Sequence, residues 1–120
     1  MWAAIPNVLD GTAFAEEFRY WTGDSGRRYL TRAIPVAEID DFVDAPAVLL
    51  RVCPDGTREI AWIGAIGADG FRDALAASTA AGRCEIHVHL LADDARRRAR
   101  VIRDLIDGNG PARQRFLEAA

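Results

Sequence analysis

Apolar runs separated by turn-forming residues predict two β-hairpins in the first half of the chain. They cover residues 18–34 and 47–64, and both are rich in aromatic and β-branched side chains. The stretches between their apolar runs, 22–26 and 54–56, contain the Gly, Asp, Ser and Pro residues that favour tight turns. We therefore expect four strands in these two segments.

The second half of the chain predicts a helix, a buried strand and an arginine-rich helix. A glycine-rich break at 64–70 precedes apolar residues at helical spacing, which predict a helix that ends at Gly82. Strict alternation at 84–90 predicts a strand. The next helix is expected to end at 108–110, and Pro111 to open a short last helix. We expect the core side of the arginine-rich helix to comprise Ala92, Ala95, Ala99, Ile102 and Ile106.

This order predicts an α/β fold of the α+β kind. We expect a mixed sheet of about five short strands, two main helices and a short C-terminal helix. A length of 120 residues is typical of one domain with one core. Within that domain, residues 1–46 supply an irregular lead-in, a β-hairpin and an acidic connection, and residues 47–120 form the α/β core.

The composition is that of an ordinary globular domain rather than a disordered, collagen-like or transmembrane protein. Hydrophobic residues make up 50% of the sequence and charged residues 28%. No apolar run approaches the roughly 18 residues of a spanning helix. The N-terminus also lacks the basic start and apolar stretch of a signal peptide. We therefore expect a cytoplasmic protein without a membrane contact, in which Cys53 and Cys84 are free thiols.

The charge pattern leaves nucleic-acid binding open. A net charge of −3 argues against a protein coated in basic residues, yet all 15 basic residues are arginine. The guanidinium fork suits phosphate and carboxylate groups, although a charge run on a helix is most often its solvated face. The candidate nucleic-acid or partner contacts are Trp62, Arg72, Arg96, Arg97, Arg100 and Arg103. The hairpin can add Arg27, Arg28 and Arg32, with Tyr20, Trp21 and Tyr29 to stack on bases, if the fold brings it close.

The order strand, strand, helix, strand, helix over residues 47–115 resembles the GIY-YIG nuclease domain. Trp62-Ile63-Gly64 stands where that family has Tyr-Ile-Gly, and Arg72 follows Gly64 by eight residues, as the family's helix arginine does. Leu105-Ile106 ahead of a proline is similar to the family's closing pattern. The resemblance implies a GIY-YIG-like core preceded by a β-hairpin.

The same resemblance implies that catalysis is lost. In the family, two strand tyrosines help to activate water and position the phosphate, the helix arginine stabilises the phosphate charge, and a glutamate holds the metal. Here Val48-Leu49-Leu50 replaces the first motif, Trp62 replaces the second tyrosine and Ile102 falls at the glutamate position. An indole cannot act as a phenol base, and isoleucine offers no oxygen to a hard cation. The resemblance therefore implies a catalytically degenerate binding module without a cofactor, whose ligand is nucleic acid or a protein partner.

One group of residues favours an enzyme instead. The alternation at 84–90 places Glu85, His87 and His89 on one face of a strand. Two imidazoles and a carboxylate can hold zinc or iron, or carry out acid–base chemistry. With Arg72 as a clamp for an anion, this alternative is a metal-dependent nuclease or hydrolase, and it alone requires a divalent metal. A solvated or hydrogen-bonded strand face has the same pattern.

A third interpretation is a structural protein-interaction or homo-oligomerisation domain. Trp, Tyr and Arg side chains are the ones that anchor protein interfaces, and they are frequent in the hairpin at 18–34. The acidic segment at 38–44 would add a charged border to such an interface.

Overall fold

The structure, a computed structural model, describes residues 2–4 and 18–119, with side chains described for residues 18–109. Most of the lead-in expected before the first hairpin lies outside the described residues. Residues 2–4, which are described, form a short strand rather than an irregular segment. Among the helices that the structure describes, none has the length and apolar character needed to cross a membrane.

Within the described residues, six strands form a single sheet in the order β1-β2-β3-β6-β4-β5. Neighbouring strands are antiparallel throughout the described part of the protein. Both predicted hairpins are confirmed, as β2–β3 and β4–β5, and with the helices they confirm the α+β class. The strands are β1 (Trp2–Ala4), β2 (Phe18–Thr22), β3 (Arg28–Ile34), β4 (Pro46–Val52), β5 (Arg58–Ala65) and β6 (Arg83–Val88).

The sheet is antiparallel rather than mixed, since every pair of neighbouring strands in the described residues is antiparallel. The polypeptide leaves β5, passes through a helix and enters β6 in the same direction as β5, because both strands are antiparallel to β4. In the sheet, β4 lies between them. β6 therefore has β4 on one side and β3 on the other, and it joins the two hairpins into one sheet.

Helices cover both faces of the sheet. Helix α1 (Phe71–Ala80) and a 3₁₀ helix (Val36–Phe42) pack on one face, which we call the α1 face. Helix α2 (Ala95–Ala119) packs on the other, the α2 face. The central strand β4 is buried on both sides, since Leu49 joins the core under α1 and Leu50 joins the core under α2.

The buried side of α2 differs from the predicted stripe. Val101 and Leu105 are buried in the core under α2, whereas Ala95 and Ala99 are exposed. The predicted stripe is shifted by one position, so that Ile102 and Ile106 are only half-buried. At 101–102 and at 105–106 two consecutive residues are both apolar, and periodicity alone cannot decide which of the two lies at the centre of the buried side. Docking of α2 on the sheet and on the first hairpin decides it.

Helix α2 does not end at residues 108–110. It continues to Ala119, and the C-terminal helix expected after Pro111 is the last part of α2. Gly108 instead lies against the turn between β2 and β3. A Cβ at Gly108 would come within 2.5 Å of the backbone nitrogen of Asp24 and 2.6 Å of the carbonyl carbon of Gly23. The glycine therefore permits a close approach rather than a helix end.

Hydrogen bonds join the turn to the helix where they approach. The backbone N–H of Asp24 donates to the backbone carbonyl oxygen of Asp104, at 3.0 Å. The Asp104 carboxylate accepts hydrogen bonds from the backbone N–H and Oγ of Ser25 and from the Tyr29 hydroxyl, at 2.6–2.9 Å. Asn109 donates from Nδ2 to the backbone carbonyl oxygen of Thr22 at 3.2 Å. The first hairpin is thus fixed to α2 through polar contacts as well as through the core.

Gly108→Ala should destabilise the fold, although alanine is favoured over glycine inside helices by about 1 kcal/mol. The added Cβ meets backbone atoms of the turn, which cannot rotate away, so the helix or the turn must shift. We expect a loss of roughly 1–3 kcal/mol in the free energy of unfolding, measured by urea denaturation followed by circular dichroism.

Ala99→Gly, at an exposed position of the same helix, is the control for helix propensity and should cost about 1 kcal/mol. A Gly108→Ala protein that is as stable as the unmodified protein would contradict the close contact between α2 and the turn.

Candidate functional site

The polar row predicted on β6 lies on the α2 face. Glu85 and His87 face the same side as Leu50 and Val48, their partners on β4, which belong to the core under α2. The two histidines are buried, with 1% of His87 and 6% of His89 exposed. The predicted shared face is therefore present, but it is buried and hydrogen-bonded rather than solvated.

His87 is held between a donor and an acceptor. Trp21 Nε1 lies 3.1 Å from His87 Nδ1, and because an indole N–H can only donate, Nδ1 must accept and carries no proton. The proton of the neutral ring is then on Nε2, which donates to Glu85 Oε1 at 3.2 Å. Trp21 is itself 1% exposed, so this buried pair satisfies two polar groups at once.

Glu85 is fixed from its other side by Arg58. The guanidinium donates from Nε to Oε1 at 2.9 Å and from Nη2 to Oε2 at 2.8 Å, a bidentate pair. Hydrogen bonds from His87 and Arg58 lower the pKa of Glu85 to about 2. Trp21, His87, Glu85 and Arg58 form a hydrogen-bonded series that we call the β6 network. Its carboxylate is ionised at neutral pH.

His89 belongs to a different neighbourhood. Its Nδ1 lies 2.8 Å from the backbone carbonyl oxygen of Leu30, which can only accept, so Nδ1 carries the proton. The ring stands edge-on to Tyr29, with ring centroids 5.5 Å apart. In their neutral forms the two histidines therefore have opposite tautomers, each set by its partner.

These contacts do not make a metal ligand set of Glu85, His87 and His89. Both ring nitrogens of His87 are engaged in the β6 network, and His89 bonds to β3 instead. Within residues 2–4 and 18–119, no group of three His, Cys, Asp or Glu side chains is arranged to hold a metal ion. Arg72, the expected anion clamp, lies on α1 and so on the opposite face of the sheet. Of the residues of the enzyme alternative, the structure brings Glu85 and His87 together, but His89 and Arg72 lie elsewhere.

The predicted binding residues are divided between the two faces. Trp62 packs on the α1 face, edge-on to Phe71 with ring centroids 5.2 Å apart. Arg72 is 74% exposed and pairs with Asp40 at 3.5 Å. The four predicted contacts on α2, Arg96, Arg97, Arg100 and Arg103, lie on the other side of the sheet. Arg72 and Trp62 therefore do not share a surface with them.

The four predicted arginines of α2 are exposed, and two of them are paired along the helix. Arg97 pairs with Asp93 and Asp94, and Arg103 pairs with Asp107 at 3.3 Å. In the part of the protein that the structure describes, Arg96 and Arg100 form no ion pair. They are four residues apart, so they project from the same side of the helix.

A surface groove of about 360 Å³ runs along the junction of α2 and the first hairpin, and we call it the arginine groove. Its arginines are Arg27 from the hairpin and Arg100 and Arg103 from α2. Two carboxylates, Asp104 and Asp107, line it as well, and Asp104 is hydrogen-bonded to Tyr29. Burial and the bond to Asp104 raise the pKa of Tyr29. Burial opposes ionisation of Asp104, but bonds from Ser25 and Tyr29 outweigh it and lower that pKa.

A larger cavity of about 650 Å³ lies where β3 ends, and we call it the strand-end cavity. Arg19, Arg32 and Arg58 line it together with Glu85 and His87. The sequence did not indicate these three arginines as a group, because Arg58, on β5, is distant in the sequence from the hairpin that carries Arg19 and Arg32. For Arg58 the register of the second hairpin was a usable signal. Arg58 pairs with Val52 on β4, two residues after Leu50, which pairs with Glu85, so Arg58 and Glu85 face the same side of the sheet.

Comparison of the sequence and the fold with protein-family models, curated proteins and solved structures finds no match.

Glu85→Gln should lower stability at neutral pH by on the order of 2 kcal/mol, because it removes a carboxylate whose pKa is well below its ordinary value. This figure is reduced for screening by solvent, since the carboxylate is partly exposed. The ionised group stabilises the fold fully above about pH 4.5, and that contribution is lost as the pH falls from about 4.5 to about 2. Urea unfolding at several pH values should therefore give curves that converge in acid. Glu59→Gln, on the exposed pair with Arg51, should change little.

The two histidines should display opposite tautomers by NMR. Long-range ¹H–¹⁵N correlation spectra in mildly alkaline buffer should place the proton of His87 on Nε2 and that of His89 on Nδ1, as their partners require. The same tautomer for both rings would contradict the β6 network or the bond from His89 to Leu30.

Proposed function

We propose that the protein is a nucleic-acid-binding module, built on a catalytically degenerate GIY-YIG-like core over residues 47–115, and that it does not cleave its ligand. Its contacts are to phosphate groups, through the arginine groove and the adjoining exposed side of α2. The ligand is nucleic acid, and a protein partner is the alternative that the binding experiment distinguishes from it.

Two features support the degenerate core. The order strand, strand, helix, strand, helix is present as β4, β5, α1, β6 and α2. The positions that the resemblance assigns to the chemistry carry groups that cannot perform it. Trp62 packs edge-on against Phe71, and an indole cannot accept a proton from water. Ile102 offers no oxygen to a metal ion.

The arginine groove is the observation that carries the proposal. It brings Arg27, from the turn of the first hairpin, to the same surface as Arg100 and Arg103 of α2. Arg96 extends this surface along the helix, four residues before Arg100. Side chains with a planar, permanently charged fork are suited to phosphate contacts. The three arginines of the groove face two carboxylates, Asp104 and Asp107, so the charge of its lining is net positive.

Replacing Arg27 and Arg100 by alanine should weaken binding of labelled DNA and RNA, measured by fluorescence anisotropy across a salt series. Each lost phosphate contact should reduce the slope of log K against log salt by roughly 1. The strands recovered after incubation with Mg²⁺ should be intact on a denaturing gel.

Arg83→Ala is the matched control. Arg83 is exposed at the start of β6, at the opposite end of the sheet from the turn between β2 and β3, so its loss should leave affinity unchanged. Metal-dependent cleavage would refute the loss of catalysis. Absence of binding at low salt would refute nucleic acid as the ligand and favour a protein partner.

A further inference from the structure

We propose that the outer edge of β5 pairs with the same edge of a second copy of the chain. Within the described residues β5 ends the sheet, with β4 on one side and no strand on the other. It comprises eight residues, whereas β1, at the opposite end of the sheet, comprises three. The long edge is therefore the candidate for pairing between molecules, and this pairing is independent of nucleic-acid binding in the arginine groove.

The backbone groups of β5 alternate between β4 and the outer edge. Ile66, directly after the strand, donates from its N–H to the backbone carbonyl oxygen of Ala45 at 3.0 Å, and so points toward the β4 side. The groups of successive residues point to opposite sides of a strand. Those of Gly64 therefore also point toward β4, and those of Ile63 and Ala65 point outward.

The outward groups near the end of β5 lack partners. In the described part of the protein, no hydrogen bond reaches the N–H or the carbonyl oxygen of Ile63. The N–H of Ala65 is also unpaired there, although its carbonyl oxygen accepts from the N–H of Ala68 at 3.0 Å. Only 5% of Ile63 is exposed, and backbone groups at such positions nearly always have a hydrogen-bond partner. A strand added along this edge would supply it.

The side chains of β5 leave this edge open to pairing. Natural edge strands are commonly protected by charges, proline or bulges. Residues 60–65 contain neither a charge nor a proline. A bulge is present at Ala61, which the shift in register leaves without a partner on β4, but Trp62 to Ala65 are paired regularly after it. The Trp62 ring lies along its own strand, over Gly64, where an added Cβ would be 2.5 Å from the ring. The ring therefore does not block the edge.

A second copy fits this edge when the two strands run antiparallel about a two-fold axis at Ile63. Each Ile63 then donates its N–H to the carbonyl oxygen of the partner's Ile63. Trp62 lies opposite the partner's Gly64, so the bulky ring meets the smallest residue rather than another large side chain. The charged residues Arg58 and Glu59 fall outside the paired stretch, so no like charges oppose one another.

Two features favour a second copy over a foreign partner. The edge is self-complementary, since each copy supplies in this register the groups that the other lacks. Its uncharged side chains also give no electrostatic basis for selecting a nucleic acid or a charged peptide. The contact is short, so it should bury less than the roughly 800 Å² per partner of a stable interface. We therefore expect a reversible dimer with a dissociation constant in the micromolar range or weaker.

The test is amide hydrogen exchange of the full-length protein, measured by NMR over a series of protein concentrations. The amides of Ile63 and Ala65 should exchange more slowly as the concentration rises, in step with the dimer measured by analytical ultracentrifugation. The amides of Trp62 and Gly64, which are bonded to β4, are the internal reference and should be protected at every concentration.

Ala65→Pro removes an outward N–H and no hydrogen bond to β4, which is the position at which an edge strand tolerates proline. In the dimer this N–H faces the partner's Ala61, so its loss from both copies should weaken association by about tenfold. Ala65→Ser keeps the N–H and is the matched control, which should associate as the unmodified protein does. The amide spectrum of each variant reports whether it is folded.

Several results would overturn the pairing. One is a protein that stays monomeric at every concentration, and another is a dimer in which the amides of Ile63 and Ala65 still exchange freely. Protection of both amides in the monomer would show that the chain covers this edge itself. A folded Ala65→Pro protein that dimerises as readily as Ala65→Ser would place the contact elsewhere. Protection that requires an added extended peptide would assign the edge to a foreign strand.

Discussion

The fold depends on the hydrogen bonds made by two buried imidazole rings, those of His87 on β6 and of His89 directly after it. β6 lies between β3 and β4 with helices on both faces, so the rings of His87 and of His89, which follows the strand, are withdrawn from bulk water. A buried ring nitrogen without a partner would cost about 1–3 kcal/mol, against a total stability of about 5–15 kcal/mol for a typical domain. Trp21 and Leu30, both from the first hairpin, supply those partners. The hairpin is therefore needed by the core strand, and it is more than an extension of the sheet.

The same hairpin is held a second time, at its turn. Gly23 in the turn and Gly108 in α2 allow the two backbones to approach until they form a hydrogen bond. The Asp104 carboxylate accepts three further hydrogen bonds there. One end of the hairpin is thus fixed by the helix, and its strands are fixed by β6. This double attachment forms the arginine groove, since it brings Arg27 beside α2.

Local features of the sequence predicted the elements well. Alternation and turn residues act within a few positions, and both hairpins and the shared face of β6 followed from them. The partners in the β6 network did not follow, because Trp21 is 66 residues from His87 and Arg58 is 27 residues from Glu85. The predicted end of the helix at Gly108 was wrong for a related reason. Glycine often marks the end of a helix because of its own backbone freedom, but here it makes room for a turn that is distant in the sequence.

The position of β6 also has a consequence for the order in which the sheet is completed during synthesis. Each hairpin pairs strands that are close in sequence, and each can form as soon as it leaves the ribosome. β6 emerges after both, and until it is inserted β3 and β4 present open edges with unpaired backbone groups. Open edges of this kind recruit strands from other molecules. The last strand to be made therefore closes the two edges at which newly made copies would otherwise associate.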